Sequence, residues 1–306
     1  MKLLSLVSIL IFSTLSGSAQ SVLEYPFETK HADLQNGATV SYIEAGSGDQ
    51  TLILIHGLGS YLPAWSMNID ELSQHFKVIA LDLPGYGQSS KDTEQHTIPF
   101  FAESVEQLMN ELQIERTSLI GHSMGGQIAL YISAHSPEKI EKLVLSAPAG
   151  FEQFTEQHKA AFAATVSPEA IAAATDSMIA QNMNVNFVEF PESAQFIIDD
   201  RIALKQSEDF DDYARAQSES VFAMLNEPVW DLLSEIEQPT LVIYGNQDAL
   251  IPNRYLNPQL TTKTVAEAGV ERMPNADLQM IDQAGHFVHF EQAEIFNQAV
   301  IEFLNN

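Results

Sequence analysis

The chain has no cysteine among its 306 residues. Disulfides, thiolate metal sites, a cysteine nucleophile and a lipid-modified N-terminal cysteine are thereby excluded. Basic residues are scarce too: 14 Lys and Arg face 41 Asp and Glu, a formal charge of −27. Phosphate contacts need clustered Lys and Arg, which argues against a nucleic-acid partner. The same deficit argues against docking on anionic membranes. The acid surplus reads as a solvated surface. The nine histidines show no H-E-x-x-H or comparable metal spacing. No metal or cofactor is expected, and a small-molecule substrate is the expected partner. Nothing in the sequence sets an oligomeric state.

Long apolar runs are also missing, apart from one at the N-terminus. Lys2 precedes the run Leu3 to Leu15, and Ser16-Gly17-Ser18-Ala19 follows before Gln20. A positive start, a short apolar stretch and small residues before the cut describe a secretory signal over residues 1–19. The run is too short for a standard transmembrane helix. The expected location is a periplasm or the medium, with no membrane contact once the signal is cut after Ala19.

What remains alternates between two patterns. Ala38 to Ala45, Thr51 to Ile55, Lys77 to Leu81, Ser118 to Ile120, Leu143 to Leu145, Leu241 to Tyr244 and Leu278 to Ile281 are short, mostly apolar runs bounded by turn residues. Such runs fit strands buried on both faces of a parallel sheet. Thr97 to Leu112, Met124 to His135 and Ala293 to Leu304 carry helical patterns between or after them. Strands alternating with helices predict an α/β fold with a mostly parallel central sheet flanked by helices.

Residues 149–230 break this rhythm. They contain no convincing buried strand, hold 8 of the 17 Phe with Met178, Met183 and Met224, and carry 14 acidic against 4 basic residues. Ser167-Pro168-Glu169 reads as a helix start. We expect a helical cap over a site, inserted between core segments 20–148 and 231–306. Many of these Phe and Met would serve as ordinary helix packing at the same time.

Gly121-His122-Ser123-Met124-Gly125 matches G-x-S-x-G between an expected strand and an expected helix. The flanking glycines permit a tight turn that pushes the Ser123 hydroxyl outward as a nucleophile. A serine hydroxyl needs a base, and the base a carboxylate to orient it. Asp248 and His286 follow later strands, at spacings of 125 and 38 residues. Loops at the carboxyl ends of parallel strands share one sheet edge, so the three can converge. Aspartate after other strands competes poorly: Asp82 is expected to brace its own turn. Oxyanion donors are expected at Met124 N–H, directly after the nucleophile, and at Leu58 N–H in His56-Gly57-Leu58-Gly59. His56 is expected to be structural, and His289 to serve packing or the surface.

These motifs resemble the α/β-hydrolase family across essentially the whole mature chain. His56-Gly57-Leu58-Gly59, Asp82 to Ser89, Gly121 to Gly126, Asp248 and Gly285 to Glu291 stand in the family's order. The resemblance implies Ser123 as nucleophile, His286 as base, Asp248 as its orienter, and a helical cap in the position of residues 149–230. Two departures stand out. Pro252 through Pro274 suggests an extra loop or helix at the site rim, and Gln292-Ala293 replaces the proline usual after the final-helix glutamate. Serine at 123 argues against haloalkane dehalogenases and epoxide hydrolases, which carry aspartate there. Ester hydrolysis through an acyl-enzyme is the expected reaction. The alternatives are a C–C bond hydrolase of ring-cleavage products, whose anionic substrates an acidic cap would repel unless Arg201 or Arg215 received them, and an amide hydrolase. A non-catalytic ligand-binding homologue is disfavoured because such proteins often lose a member of the triad.

Overall fold

The computed structural model describes residues 22–306, so the expected signal at 1–19 lies outside the described residues. Eight strands form one sheet: β1 (Lys30–Asp33), β2 (Thr39–Ala45), β3 (Thr51–Ile55), β4 (Lys77–Leu81), β5 (Thr117–His122), β6 (Ile140–Ser146), β7 (Thr240–Gly245) and β8 (Ala276–Ile281). Their order is β1-β2-β4-β3-β5-β6-β7-β8. The two junctions involving β2 are antiparallel and the other five are parallel.

Burial explains which strands sit in the middle. Alternate residues of one strand point to opposite faces. Accordingly Ile53, Ile55, Ile79, Leu81 and Leu119 join one apolar cluster, while Leu52, Leu54, Val78, Ala80 and Ile120 join another. Both faces are covered, so both parities must be apolar, and the central runs are continuous rather than alternating. The first cluster receives Phe101, Val105 and Leu108 of α2 (Ile98–Glu111) and Ile128, Ala129 and Ile132 of α3 (Met124–His135). The second receives Ile69 and Leu72 of α1 (Ser66–Leu72). At the edge, β1 reads Lys-His-Ala-Asp and is mostly exposed. Charge at an edge strand discourages pairing with a further chain, and an alternating apolar search passes over so short and polar a strand.

After β6 the chain leaves the sheet. Between residues 149 and 230 the described elements are helical: α4 (Glu156–Ala163), α5 (Pro168–Ala172), α6 (Asp176–Asn184), a short turn at Glu192–Ala194, α7 (Gln195–Leu204) and α8 (Phe210–Asn226). Ser167 caps α5, accepting from Ala170 N at 3.1 Å. The stretch between Pro252 and Pro274 contains α9 (Thr262–Val270). The chain ends in α10 (Val288–Glu291) and α11 (Ala293–Asn305), whose Phe296, Val300 and Leu304 complete the second cluster.

Asp82 does brace its turn, accepting from Gln88 N at 2.8 Å, but its reach is wider. It also accepts from Leu62 N at 2.6 Å and from Tyr25 Oη at 2.7 Å. Three donors point at one fully buried carboxyl, which burial nonetheless pushes up to about 6. At pH 7 it is the anion that joins the N-terminal segment, the β3–α1 connection and the turn after β4. Asp82→Asn places an amide donor against one of those N–H or O–H groups. The expected loss is about 1–3 kcal/mol, read as a lower urea midpoint at pH 7.

Candidate active site

Ser123 stands between β5 and α3 with φ at +52°, a conformation unfavourable for any residue with a side chain. Crowding dictates its neighbours. A Cβ on Gly121 would lie 2.4 Å from Gly125 O, and one on Gly125 would lie 2.3 Å from Ile55 O. The strained turn is held from both sides. Ser123 N donates to Ser146 O at 3.0 Å, and Ser123 O accepts from Gly126 N and Ala149 N, each at 2.9 Å. Strain of about 1–3 kcal/mol is thus offset by backbone bonds to β6 and to the start of the insert.

His286 and Asp248 come together as their order suggested. His286 Nδ1 lies 2.8 Å from Asp248 Oδ2. Asp248 is fully buried, and its Oδ1 accepts from Leu250 N at 2.8 Å and Ile251 N at 3.0 Å. A carboxylate fixed in this way accepts the Nδ1 proton and leaves the lone pair on Nε2. Both His286 and Ser123 line one cavity. Among the described residues no hydrogen bond joins the Ser123 hydroxyl to the imidazole in the resting geometry, and such bonds commonly tighten only with substrate.

The His286 loop is held by contacts with residues distant in the chain. Gly285 N donates to Glu291 Oε2 at 2.7 Å, while Glu291 Oε1 accepts from Val188 N and Glu189 N of the insert. His122 Nε2 donates to His286 O at 3.1 Å. His289 is fully buried and packs its ring 4.5 Å from that of His122 and 4.3 Å from that of Trp65. Glu291 was within the motif read in the sequence, but its partners lie far away in the chain and leave no local trace.

His56 is structural, as expected, and its geometry bears on Leu58. Its Nε2 accepts from Leu83 N at 3.0 Å, which leaves the proton on Nδ1, donated to Gly57 O at 2.8 Å. Carbonyl and N–H point in opposite directions across a trans peptide. With Gly57 O turned to His56, Leu58 N–H is turned away from it, and Leu58 lines the cavity with Ser123. Met124 N–H is the first of α3 and has no intrahelical acceptor.

The cavity measures about 410 Å³. Its walls are chiefly apolar, with Phe154, Phe162, Val221, Met224, Trp230 and Ile251 prominent. Glu152 also lines it, its carboxyl pushed up by burial and accepting from Asn253 N and Asn257 Nδ2. The insert is pinned to the core by three further side-chain contacts. Gln127 Nε2 donates to Met224 O and Glu227 O, Tyr86 Oη to Ser220 Oγ, and Tyr61 Oη to Asp200 Oδ2. Three of its four cations have acidic partners: Lys159 with Glu156, Lys205 with Asp176, and Arg215 with Asp212. Arg201 has no ion pair among the described residues. Its Nη2 lies 2.7 Å from where a Cβ on Gly59 would stand.

Comparison with known proteins agrees with this architecture. The profile of the alpha/beta hydrolase fold family matches residues 50–293. The chain belongs to that family and is a hydrolase. It is 31% identical over 261 residues to the dihydrolipoyllysine-residue acetyltransferase component of an acetoin cleaving system from Pseudomonas putida, covering 85% of this chain and 64% of that protein. The match thus spans less than two thirds of that relative. It is 28% identical over 278 residues to a 2-hydroxy-6-oxononadienedioate/2-hydroxy-6-oxononatrienedioate hydrolase from Burkholderia vietnamiensis strain G4, covering 87% and 90% of the two chains. The crystal structure of a probable hydrolytic enzyme from Pseudomonas aeruginosa PAO1 superposes with a TM-score of 0.82 at 23% identity, covering 92% and 95%. That last likeness is one of fold.

The buried histidines set a pH dependence. Burial holds His56 down to about 4 and His289 down to about 3, and drives His122 well below its usual value. Each takes up a proton more readily unfolded, so their contribution is present above about 6.5 and is lost as pH falls toward the folded values. Asp82, raised to about 6, acts in the opposite sense between 3.8 and 6. Glu152 and Asp200, both raised by burial, act with Asp82, while His96, lowered by burial, acts with the other three histidines. The urea midpoint is expected to fall between pH 7 and pH 4.5, with on the order of 2–3 kcal/mol from His56 alone; a flat profile would contradict this.

Proposed function

We propose that the protein is an exported serine hydrolase that cleaves carboxylic esters of small-to-medium, apolar and uncharged substrates. One observation carries the reading: Ser123, strained at the turn, shares a cavity with an imidazole whose far nitrogen is held by the buried Asp248 carboxylate. In the proposed reaction His286 Nε2 takes the Ser123 proton as Oγ attacks the ester carbonyl. Negative charge develops on the carbonyl oxygen and is received by Leu58 N–H and Met124 N–H. The imidazolium, steadied by Asp248, returns its proton to the departing alcohol. Water, deprotonated by His286, then releases the acid from the acyl-enzyme.

The cavity walls support the substrate class. Aromatic and aliphatic side chains dominate, and Lys159, the cation among them, is engaged by Glu156 at 2.8 Å. An uncharged acyl or alkoxy group gains from such a wall, whereas a carboxylate loses hydration without finding a free partner. The test is a p-nitrophenyl ester series from acetate to palmitate. Turnover should peak at short or medium chains and fall about 10⁶-fold in Ser123→Ala, as for other triads acting as a unit; full activity in that variant would refute the assignment.

A second reading is favoured by Arg201. Arg201 lines the neighbouring cavity rather than the one with Ser123, and an unpaired guanidinium there, beside the Leu58–Gly59 turn, is suited to a carboxylate at the far end of a substrate; one relative is a hydrolase of a dienedioate. Under the ester reading, 2-hydroxy-6-oxononadienedioate is not consumed and Arg201→Gln leaves the pH profile of ester turnover in place. Faster loss of the dienedioate's conjugated absorbance than of any ester, with its KM raised in Arg201→Gln, would replace ester hydrolysis by C–C cleavage.

A further inference from the structure

We infer that the substrate site continues past Val221 into a second cavity inside the helical insert, which receives the distal part of a linear acyl chain. The inference rests on the ester reading and names the part of the substrate that the first cavity does not hold. The second cavity measures about 220 Å³ and lies among α5, α6, α7 and α8, with Ile171, Met178, Ile179, Phe210 and Tyr213 on its walls. Val221 is the residue that lines both this space and the one containing Ser123 and His286.

The period of α8 explains how one side chain faces two cavities. Gln217, one turn before Val221, lines the second cavity; Met224 and Leu225, one turn after, line the first. Residues three and four apart share a helix face, so a single face of α8 forms a continuous wall with Val221 at the partition. A β-branched side chain on a helix has essentially one rotamer. The partition is therefore a fixed narrow point, set by the volume of two methyl groups.

The walls of the second cavity are partly exposed and have room to adapt. The space opens to solvent at its rim, and polar Thr165, Asn182, Arg201 and Gln217 stand among its apolar walls. Here α5 buries none of its residues, and Met178 of α6 is 49% exposed although it faces the cavity. An unbranched thioether on a lightly packed helix adapts to guests of different length. The polar corner, formed by Arg201 and Gln217, abuts the Gly59 turn, so the apolar part extends away from the reacting centre. A flexible alkyl chain with its carbonyl at Ser123 follows the chiefly apolar first cavity past Val221 to the apolar side chains Ile171, Met178, Ile179 and Phe210 better than a rigid ring system does.

The test reads the rate at which Ser123 is labelled by alkyl fluorophosphonates with ethyl and dodecyl chains, which needs no ester turnover. Circular dichroism confirms that each variant is folded. Two variants are compared with the wild type: Val221→Trp blocks the partition, and Ile171→Trp fills the second cavity from α5 at a residue that does not line the first. The dodecyl-to-ethyl rate ratio is expected to fall about tenfold in both, the order expected when a few methylenes lose an apolar site. An unchanged ratio in Ile171→Trp would overturn the inference while leaving the serine hydrolase reading standing. Absence of labelling at Ser123 in the wild type would overturn that reading, and the inference with it.

Discussion

The structure turns on the backbone contact at Ser123. Its N–H bonds β6 at Ser146, and its carbonyl accepts from α3 at Gly126 and from Ala149 where the insert begins. One residue thus joins the sheet, the helix behind the turn and the first residues of the insert. Only glycine fits at 121 and 125, because Gly125 passes against Ile55 O of β3. The same closeness that strains the serine brings the end of β3, with Leu58, beside it. A looser turn would separate the hydroxyl from the N–H groups that could face it.

Around that turn lies a neutral interior inside a strongly acidic chain. His56, His122 and His289 are buried and held uncharged by the cost of desolvating an imidazolium. Each serves through hydrogen-bond direction or ring packing: His56 orients the Gly57 carbonyl, His122 donates to the main chain of His286, and His289 fills the space beside Trp65. Histidine suits these places because one ring nitrogen can donate while the other accepts. The excess carboxylates are mostly solvated and screened beyond about 8–10 Å at ordinary ionic strength, so the charge of −27 does not reach into the site as a simple sum.

The insert connects site and surface. It is tied to the rest of the chain at Gln127, Tyr86, Tyr61 and Glu291, yet α4 and α5 bury no residue. Burial is distributed unevenly within it, greater where it meets the core and least in α4 and α5.

Much of this was legible in the chain itself. Runs such as Thr51 to Ile55 revealed buried parallel strands, because burial on two faces demands apolar residues of both parities. The glycines around Ser123 marked the turn, because a side chain there meets backbone. The order of Ser123, Asp248 and His286 after successive strands indicated that they could meet, since parallel strands end on one edge. Other features had no local signature. The polar edge strand Lys30–Asp33 is a strand only because Thr39–Ala45 pairs with it. The clasp of Glu291 on residues 188 and 189, the three donors around Asp82 and the position of Val221 between two cavities join residues far apart in sequence. Local pattern determined the elements and the turn, because sterics and periodicity act between near neighbours. Tertiary structure alone decided which buried polar groups meet and what shape the cavity takes, because those depend on distances that exist only once the sheet is assembled.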